Sequence, residues 1–246
     1  MSKLRSLKVS SNLPDNFYVN PKIVPSLKKI SLNGCILKNI DKFQTLEILN
    51  IRDTDIDELK LNNLNILELS LTGIGHCVQD LNIYSLRKLV LKEVITNVDM
   101  LNNLNIVELE LLNINWSDDV IMHDQYYSPK LNINSLRSLT LEGIYLDLYP
   151  PNNMNIIELI LRHLHLDVSL RCSTLESLVL DQVDMIHANE LQNIERLTMT
   201  NSRITLRNPK MVKLSNITII QTINILRRDI PSSSAMVYSA LWRSTS

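Results

Sequence analysis

Leu27–Leu37 reads LKKISLNGCIL, with apolar residues at its first, fourth and sixth places and Leu37 closing the stretch. The same frame returns at Leu46 (Leu49, Ile51), Ile66 (Leu69, Leu71), Leu86 (Leu89, Leu91) and Ile106 (Leu109, Leu111). It continues at Leu136 (Leu139, Leu141), Ile156 (Leu159, Leu161), Leu175 (Leu178, Leu180) and Ile194 (Leu197, Met199), with weaker copies at Leu4 and Leu214. Successive starts lie 23, 19, 20, 20, 20, 30, 20, 19, 19 and 20 residues apart. Self-similarity at such a period marks a solenoid. About 20 residues make one strand plus a return, too little to bury a hydrophobic face alone. Stacking coils at the parallel-strand spacing of about 4.8 Å joins the first, fourth and sixth places into one continuous core.

The register resembles the leucine-rich repeat superfamily, whose pattern is LxxLxLxxN/CxL, over about residues 4–222. Leu27–Leu37 matches throughout, with Cys35 in the Asn/Cys slot, and Leu46–Ile56 matches with Thr54 there. Elsewhere the slot holds Ile74, Val94, Ile114, Ile144, Leu164 and Val183, so the family's asparagine ladder is missing from its usual place. The resemblance implies one α/β, mostly β solenoid over residues 1–246, with about 11 repeats. It implies a curved right-handed coil, a parallel sheet on the concave face, and short extended or 3₁₀ returns on the convex face. A substitute amide stack is expected from Asn62, Asn82, Asn102, Asn132 and Asn152, which share one place in their repeats, with Cys172 in the following coil. LNNLNI (61–66, 101–106) alternates with LNIYSL (81–86) and LNINSL (131–136), which suggests duplication of a two-repeat unit.

Both ends of a solenoid need covering, because a terminal coil exposes core and an unpaired strand edge. Residues 10–26, with Phe17, Tyr18 and three prolines, are expected to form the N-terminal capping region. Residues 223–246 are expected to form the C-terminal cap, with Ser232–Ser234 opening a short helix from Ala235 to Trp242. The 30-residue interval places an insertion near 116–130, WSDDVIMHDQYYSPK.

Composition narrows the function classes. The 246 residues are 45% hydrophobic and 4% aromatic, with 25 basic and 26 acidic side chains. A core is affordable and disorder is excluded. Residues 1–11 lack the apolar run of a secretory signal, no window matches a membrane span, and three widely spaced cysteines (Cys35, Cys77, Cys172) lack metal or disulfide spacing. The expected setting is the cytoplasm, or the host cytoplasm if the source is a pathogen, with the chain monomeric. GxGxxG, P-loop, HExxH and GxSxG are all absent. No enzyme, cofactor or metal is therefore assigned.

In the family architecture, the residues between the core leucines line the concave face. The expected protein-binding set is Val90, Lys92, Glu108, Glu110, Leu112, Thr140, Glu142, Ile160 and Arg162, joined by Trp116, Asp118, Asp119, Tyr126 and Tyr127 of the insertion. Insertions into solenoids are often binding loops, and aromatics anchor interfaces. The face has no basic stripe or aromatic platform, which disfavours single-stranded nucleic acid. Charge divides as 10 basic and 7 acidic side chains in residues 1–60, 8 and 18 in 61–199, and 7 and 1 in 200–246. The expected function is thus a non-enzymatic adaptor for a protein partner. The alternatives are a nucleic-acid or anionic-membrane binder acting through basic residues 200–246, and a metal-dependent enzyme using His163, His165 and Asp184.

Overall fold

The computed structural model describes residues 3–10, 16–54, 61, 64–74, 77–78, 81–97, 101–116, 131–144, 155–170, 172–188, 193–202, 204–206 and 216–220. Its strands are β1 (Ser6–Val9), β2 (Asn16–Phe17), β3 (Lys29–Asn33), β4 (Ile36–Leu37), β5 (Ile48–Arg52), β6 (Glu68–Thr72), β7 (Cys77–Val78), β8 (Lys88–Lys92) and β9 (Ile95–Thr96). They continue with β10 (Glu108–Leu112), β11 (Asn115–Trp116), β12 (Ser138–Glu142), β13 (Glu158–Leu170), β14 (Ser177–Ala188), β15 (Arg196–Thr200), β16 (Ile204–Leu206) and β17 (Asn216–Ile220). The large sheet runs β1-β3-β5-β6-β8-β10-β12-β13-β14-β15-β17, with β16 joined to β14. A three-stranded sheet (β11-β9-β7) and a two-stranded sheet (β2-β4) form beside it. Every pairing is parallel. The chain is a parallel-strand β-solenoid.

The repeated leucines explain the stack. Places 4 and 6 alternate inward from each strand, and place 1 precedes it. Leu86, Leu89 and Leu91 are fully buried, as are Ile106 and Leu111, with Leu109 only 1% exposed. One contiguous core runs from Val9 to Ile204. The solenoid is mostly β, as expected, but the α/β class is not supported: the one helical element that the described residues contain in full is a 3₁₀ turn at Ile40–Lys42, a return of the short kind expected. A repeat of about 20 residues has too few residues left after its strand and turns to close a regular helix.

The five-residue core stretch of nine successive coils is followed by the same unusual backbone. Among the described residues, positive φ occurs at Gly34, Asp53, Gly73, Glu93, Asn113, Gly143, His163, Gln182 and Asn201, between 47° and 66°. Every one is the eighth residue of its repeat. This corner keeps the hydrogen-bond ladder intact while the chain changes direction. The N–H of Gly34 donates to the Arg52 carbonyl, Asp53 to Thr72, Gly73 to Lys92 and Glu93 to Leu112, each at 2.9 Å. The ninth residue then turns back into the core, from Cys35 (2% exposed) to Ser202 (0%). Where that residue is hydroxylic, it bridges coils. Thr54 Oγ1 accepts from the Cys35 N–H at 3.3 Å and lies 2.7 Å from the Arg52 carbonyl. Ser202 Oγ accepts from Val183 at 3.1 Å and donates to the Thr200 carbonyl at 2.8 Å.

The far turn comes in two kinds. Where Ser or Thr precedes the repeat, the first residue is Leu, and its hydroxyl reaches the carbonyl that opens the previous coil. Thr45 donates to Leu27 at 2.9 Å, Ser85 to Ile66 at 2.8 Å, Ser135 to Ile106 at 2.7 Å and Thr174 to Ile156 at 2.8 Å. A tight turn abuts the strand in this kind, from Ile83 to Leu86 and from Ile133 to Leu136. Where Asn precedes, the first residue is Ile, and the turn closes earlier, from Leu61 to Leu64 and from Leu101 to Leu104. From Leu46 to Ile194 the two kinds alternate without exception.

The expected asparagine stack lies on the outside of this turn. Asn82 and Asn132 are exposed and Asn102 is half-buried. The Asn132 N–H donates to Asn102 Oδ1 at 2.6 Å. Asn62 and Asn152 lie outside the described residues. Cys172 does not belong to this row. Its coil is one residue short, so Cys172 stands three residues before Leu175, as Ile83 stands before Leu86, and it is buried.

Of the expected caps, 223–246 lies outside the described residues. Within 10–26, β2 pairs with β4 and Val24 is buried. The buried Asn39 amide holds Val19 from both sides, donating to its carbonyl at 2.5 Å and accepting from its N–H at 3.4 Å.

A methyl group added at Gly73 would overlap Asp53 Oδ1, in a backbone conformation that L-residues resist. Gly73→Ala should lower stability by about 1–3 kcal/mol in urea unfolding. Adding Asp53→Gly should recover the steric share. An unchanged midpoint for Gly73→Ala would refute this account of the corner. Ser135→Ala, which leaves the Ile106 carbonyl without its hydroxyl donor, should cost about 0.5–1.5 kcal/mol in the same assay.

Candidate interaction face

Places 3, 5 and 7 of each core strand point away from the core. Because the strands pair without slip from β3 to β12, side chains at equal places stand in rows. The place-5 row carries Val90, Glu110, Thr140 and Ile160 side by side. The place-7 row carries Lys92, Leu112, Glu142 and Arg162. Glu108 stands between Lys88 and Ser138 in the place-3 row. Nine of the expected face residues are thereby gathered on one surface. Most are half-buried although they face outward, since neighbours about 4.8 Å away cover one another's stems. Thr140 is only 7% exposed between the longer Glu110 and Ile160.

The insertion residues stand differently. Trp116 lies on β11, in the three-stranded sheet, with its backbone opposite Thr96. It is therefore outside the rows of the large sheet. Asp118, Asp119, Tyr126 and Tyr127 fall outside the described residues.

Charges on this face are largely matched among themselves. Lys88 Nζ lies 3.0 Å from Glu110 Oε1 and 3.1 Å from Glu108 Oε2. Glu142 and Arg162 approach to 3.7 Å, and Ser138 donates to Glu158 at 3.2 Å. Lys88 is the residue missing from the expected set. Its signal was present in the sequence, since Lys88 and Glu108 hold the same place in successive repeats and Glu110 lies diagonally across. Hydrogen bonding to Glu110 raises the Lys88 ammonium above its ordinary value of 10.5, against a smaller opposing effect of burial and with Glu108 adding to the rise.

Other polar features are set apart from the face. His163 occupies a left-handed corner, exposed, with Nδ1 3.1 Å from Gln182 Oε1. Among the described residues, no three His, Cys, Asp or Glu side chains gather closely enough to hold a metal; those of His165 and Asp184 are not among them. An open trough of about 650 Å³ at the strand-entry edge is lined by Arg137, Asn155, Ile157, Thr174, Glu176, Asn193 and Glu195.

Lys88 has its raised folded-state value to lose only at high pH. Its pairing contributes fully below pH 10.5 and fades as pH climbs through the raised value. Lys88→Met should therefore cost no more than about 1 kcal/mol at neutral pH, because Lys88 and its two glutamates are each about a third or more exposed, so that solvent screens them. The deficit should shrink in concentrated salt and at strongly alkaline pH. A deficit indifferent to both would mean that Lys88 acts through its methylene stem.

Comparison of the chain with family models, with characterised proteins and with solved structures gave no match in any of the three.

Proposed function

We propose that this chain is a leucine-rich-repeat-type interaction module: a non-enzymatic adaptor that binds a protein partner through the outward face of its large sheet and the 116–130 insertion. The observation that carries the reading is the set of in-register rows. Strands β8, β10, β12 and β13 present a surface in which neutral side chains alternate with charges that are mostly paired to one another. Such a surface is largely preorganised, so little side-chain order is lost on binding. Its mixture of Val90, Leu112 and Ile160 with polar neighbours matches the composition of protein interfaces. The frame LxxLxLxx, read with its closing residue at Leu37, supports the leucine-rich-repeat assignment, and the large sheet would then be the concave face.

The same proposal takes the module to be monomeric and to work in a reducing, cytoplasmic setting. In support, Cys35 and Cys172 are buried in the core, in different coils. No helix among the described residues is long and apolar enough to cross a membrane.

Capture from a lysate, followed by mass spectrometry, tests the reading. Wild type should retain a partner that Glu110→Lys/Glu142→Lys loses, because both reversals place like charge against Lys88 and Arg162 as well as against the partner. Tyr126→Ala/Tyr127→Ala should weaken the same capture if the insertion takes part. Identical partner sets for all three proteins would overturn the proposal. Partner loss on removal of 227–246 alone would instead favour the basic C-terminal region.

A further inference from the structure

The first three strands of the large sheet present a surface unlike the rest. Ser6 and Lys8 face outward from β1, Lys29, Ser31 and Asn33 from β3, and Ile48, Asn50 and Arg52 from β5. Lys8, Lys29 and Arg52 are exposed, and none has an ion-pair partner among the described residues. No carboxylate stands in these rows; the first is Glu68 on β6. Beyond it, Lys88 and Arg162 are met by glutamates one coil away. Between the three cations lie hydroxyl and amide groups, with Asn50 Nδ2 donating to Ser31 Oγ at 3.3 Å.

We propose that this patch is a docking site for an extended acidic segment of a protein. Lys29 and Arg52 stand at opposite ends of their strands, about 13 Å apart along the strand direction at about 3.3 Å per residue. A single small anion cannot span that distance, whereas carboxylates spaced along an extended chain can. Ser31, Asn33 and Asn50 offer donors and acceptors suited to a peptide backbone. The rows hold no aromatic side chain on which a base would stack. Ile48 is their one large apolar residue, which leaves nothing to insert into a lipid surface. The three cations are exposed and share one side of the sheet, so they steer an acidic segment before contact. The site rests on the proposed function only in taking the partner to be a protein, and it uses none of the residues assigned to the middle of the face.

The test is fluorescence anisotropy on the full chain with a short labelled peptide of alternating Glu and Ser. The comparison ligands are the same peptide with Gln for Glu, a thymidine oligonucleotide, and phosphatidylserine vesicles. The Glu peptide should bind, and weaken as salt is raised. Lys8→Gln/Lys29→Gln/Arg52→Gln should weaken it by about tenfold or more. Tyr84→Ala, a neutral change at an exposed far-turn residue, should leave it unchanged. An unaltered urea midpoint for the triple variant shows that the patch, and not the fold, was removed; should the midpoint fall, Lys8→Gln/Lys29→Gln with Arg52 intact replaces it, with a several-fold weakening expected. Equal binding of the Gln peptide, or no effect of the substitutions, would overturn the proposal. Tighter binding of the oligonucleotide or the vesicles would also overturn it and assign the patch to phosphate. Acidic-peptide binding that survives when lysate capture fails would uphold this site while the middle-face reading falls.

Discussion

The structure depends on a corner at which the backbone turns left-handed and still hands its N–H to the next coil. L-residues resist this conformation by roughly 1–2 kcal/mol each. Glycine avoids that cost at Gly34, Gly73 and Gly143, and Asp53, Asn113 and Asn201 belong to the types that tolerate it best. His163 is of a type also enriched there, whereas Glu93 and Gln182 are not, yet they hold the same φ. The stack determines the conformation at those positions: leaving it would break a ladder hydrogen bond and lift the buried ninth residue out of the core. Because the corner recurs at the same place in nine successive coils, their core strands begin and end level with one another. The outward rows are a consequence of that levelling.

The core was readable before the structure because its cause is local and periodic. Leucine or isoleucine must refill the same three places in every coil, whatever surrounds them. The corner was not readable in the same way. Six residue types occupy it, and what they share is a backbone angle rather than a side chain. Cys172 was misplaced for a related reason: counting forward through a repeat that has lost one residue shifts every later place, whereas counting back from Leu175 aligns it with Ile83 and Ile133. The α/β class implied by the resemblance finds no support for a reason the repeat length already carried: after a five-residue strand and two turns, too little chain is left for regular helix.

On the candidate face, the nine residues expected from the large sheet were legible because strand alternation alone sends them outward. Their electrostatics were not. The summed charge of residues 61–199 describes an acidic middle. Side by side on the sheet, however, Glu108, Glu110 and Glu142 stand against Lys88 and Arg162, so the middle of the face is closer to neutral than the segment that supplies it. The densest run of cations without ion-pair partners among the described residues lies at the other end, on β1, β3 and β5, where the sum over residues 1–60 is diluted by the Asp41, Glu47 and Asp53 carboxylates placed off these rows. Adjacency across coils decides field strength, and it becomes visible only once the coils are stacked.

The two kinds of far turn carry a consequence for how this chain can change in length. At Ser85, Ser135 and Thr174 a hydroxyl turn reaches the carbonyl of an isoleucine-opened coil, and an asparagine turn follows it. Removing one coil would set two turns of one kind against each other and shift which buried residue, that of Ile83 or that of Leu64, fills the turn. Removing two adjacent coils would join like to unlike and preserve both contacts. The unit by which such a solenoid can grow or shrink without disturbing its seams is therefore the pair, about 40 residues, rather than the single repeat.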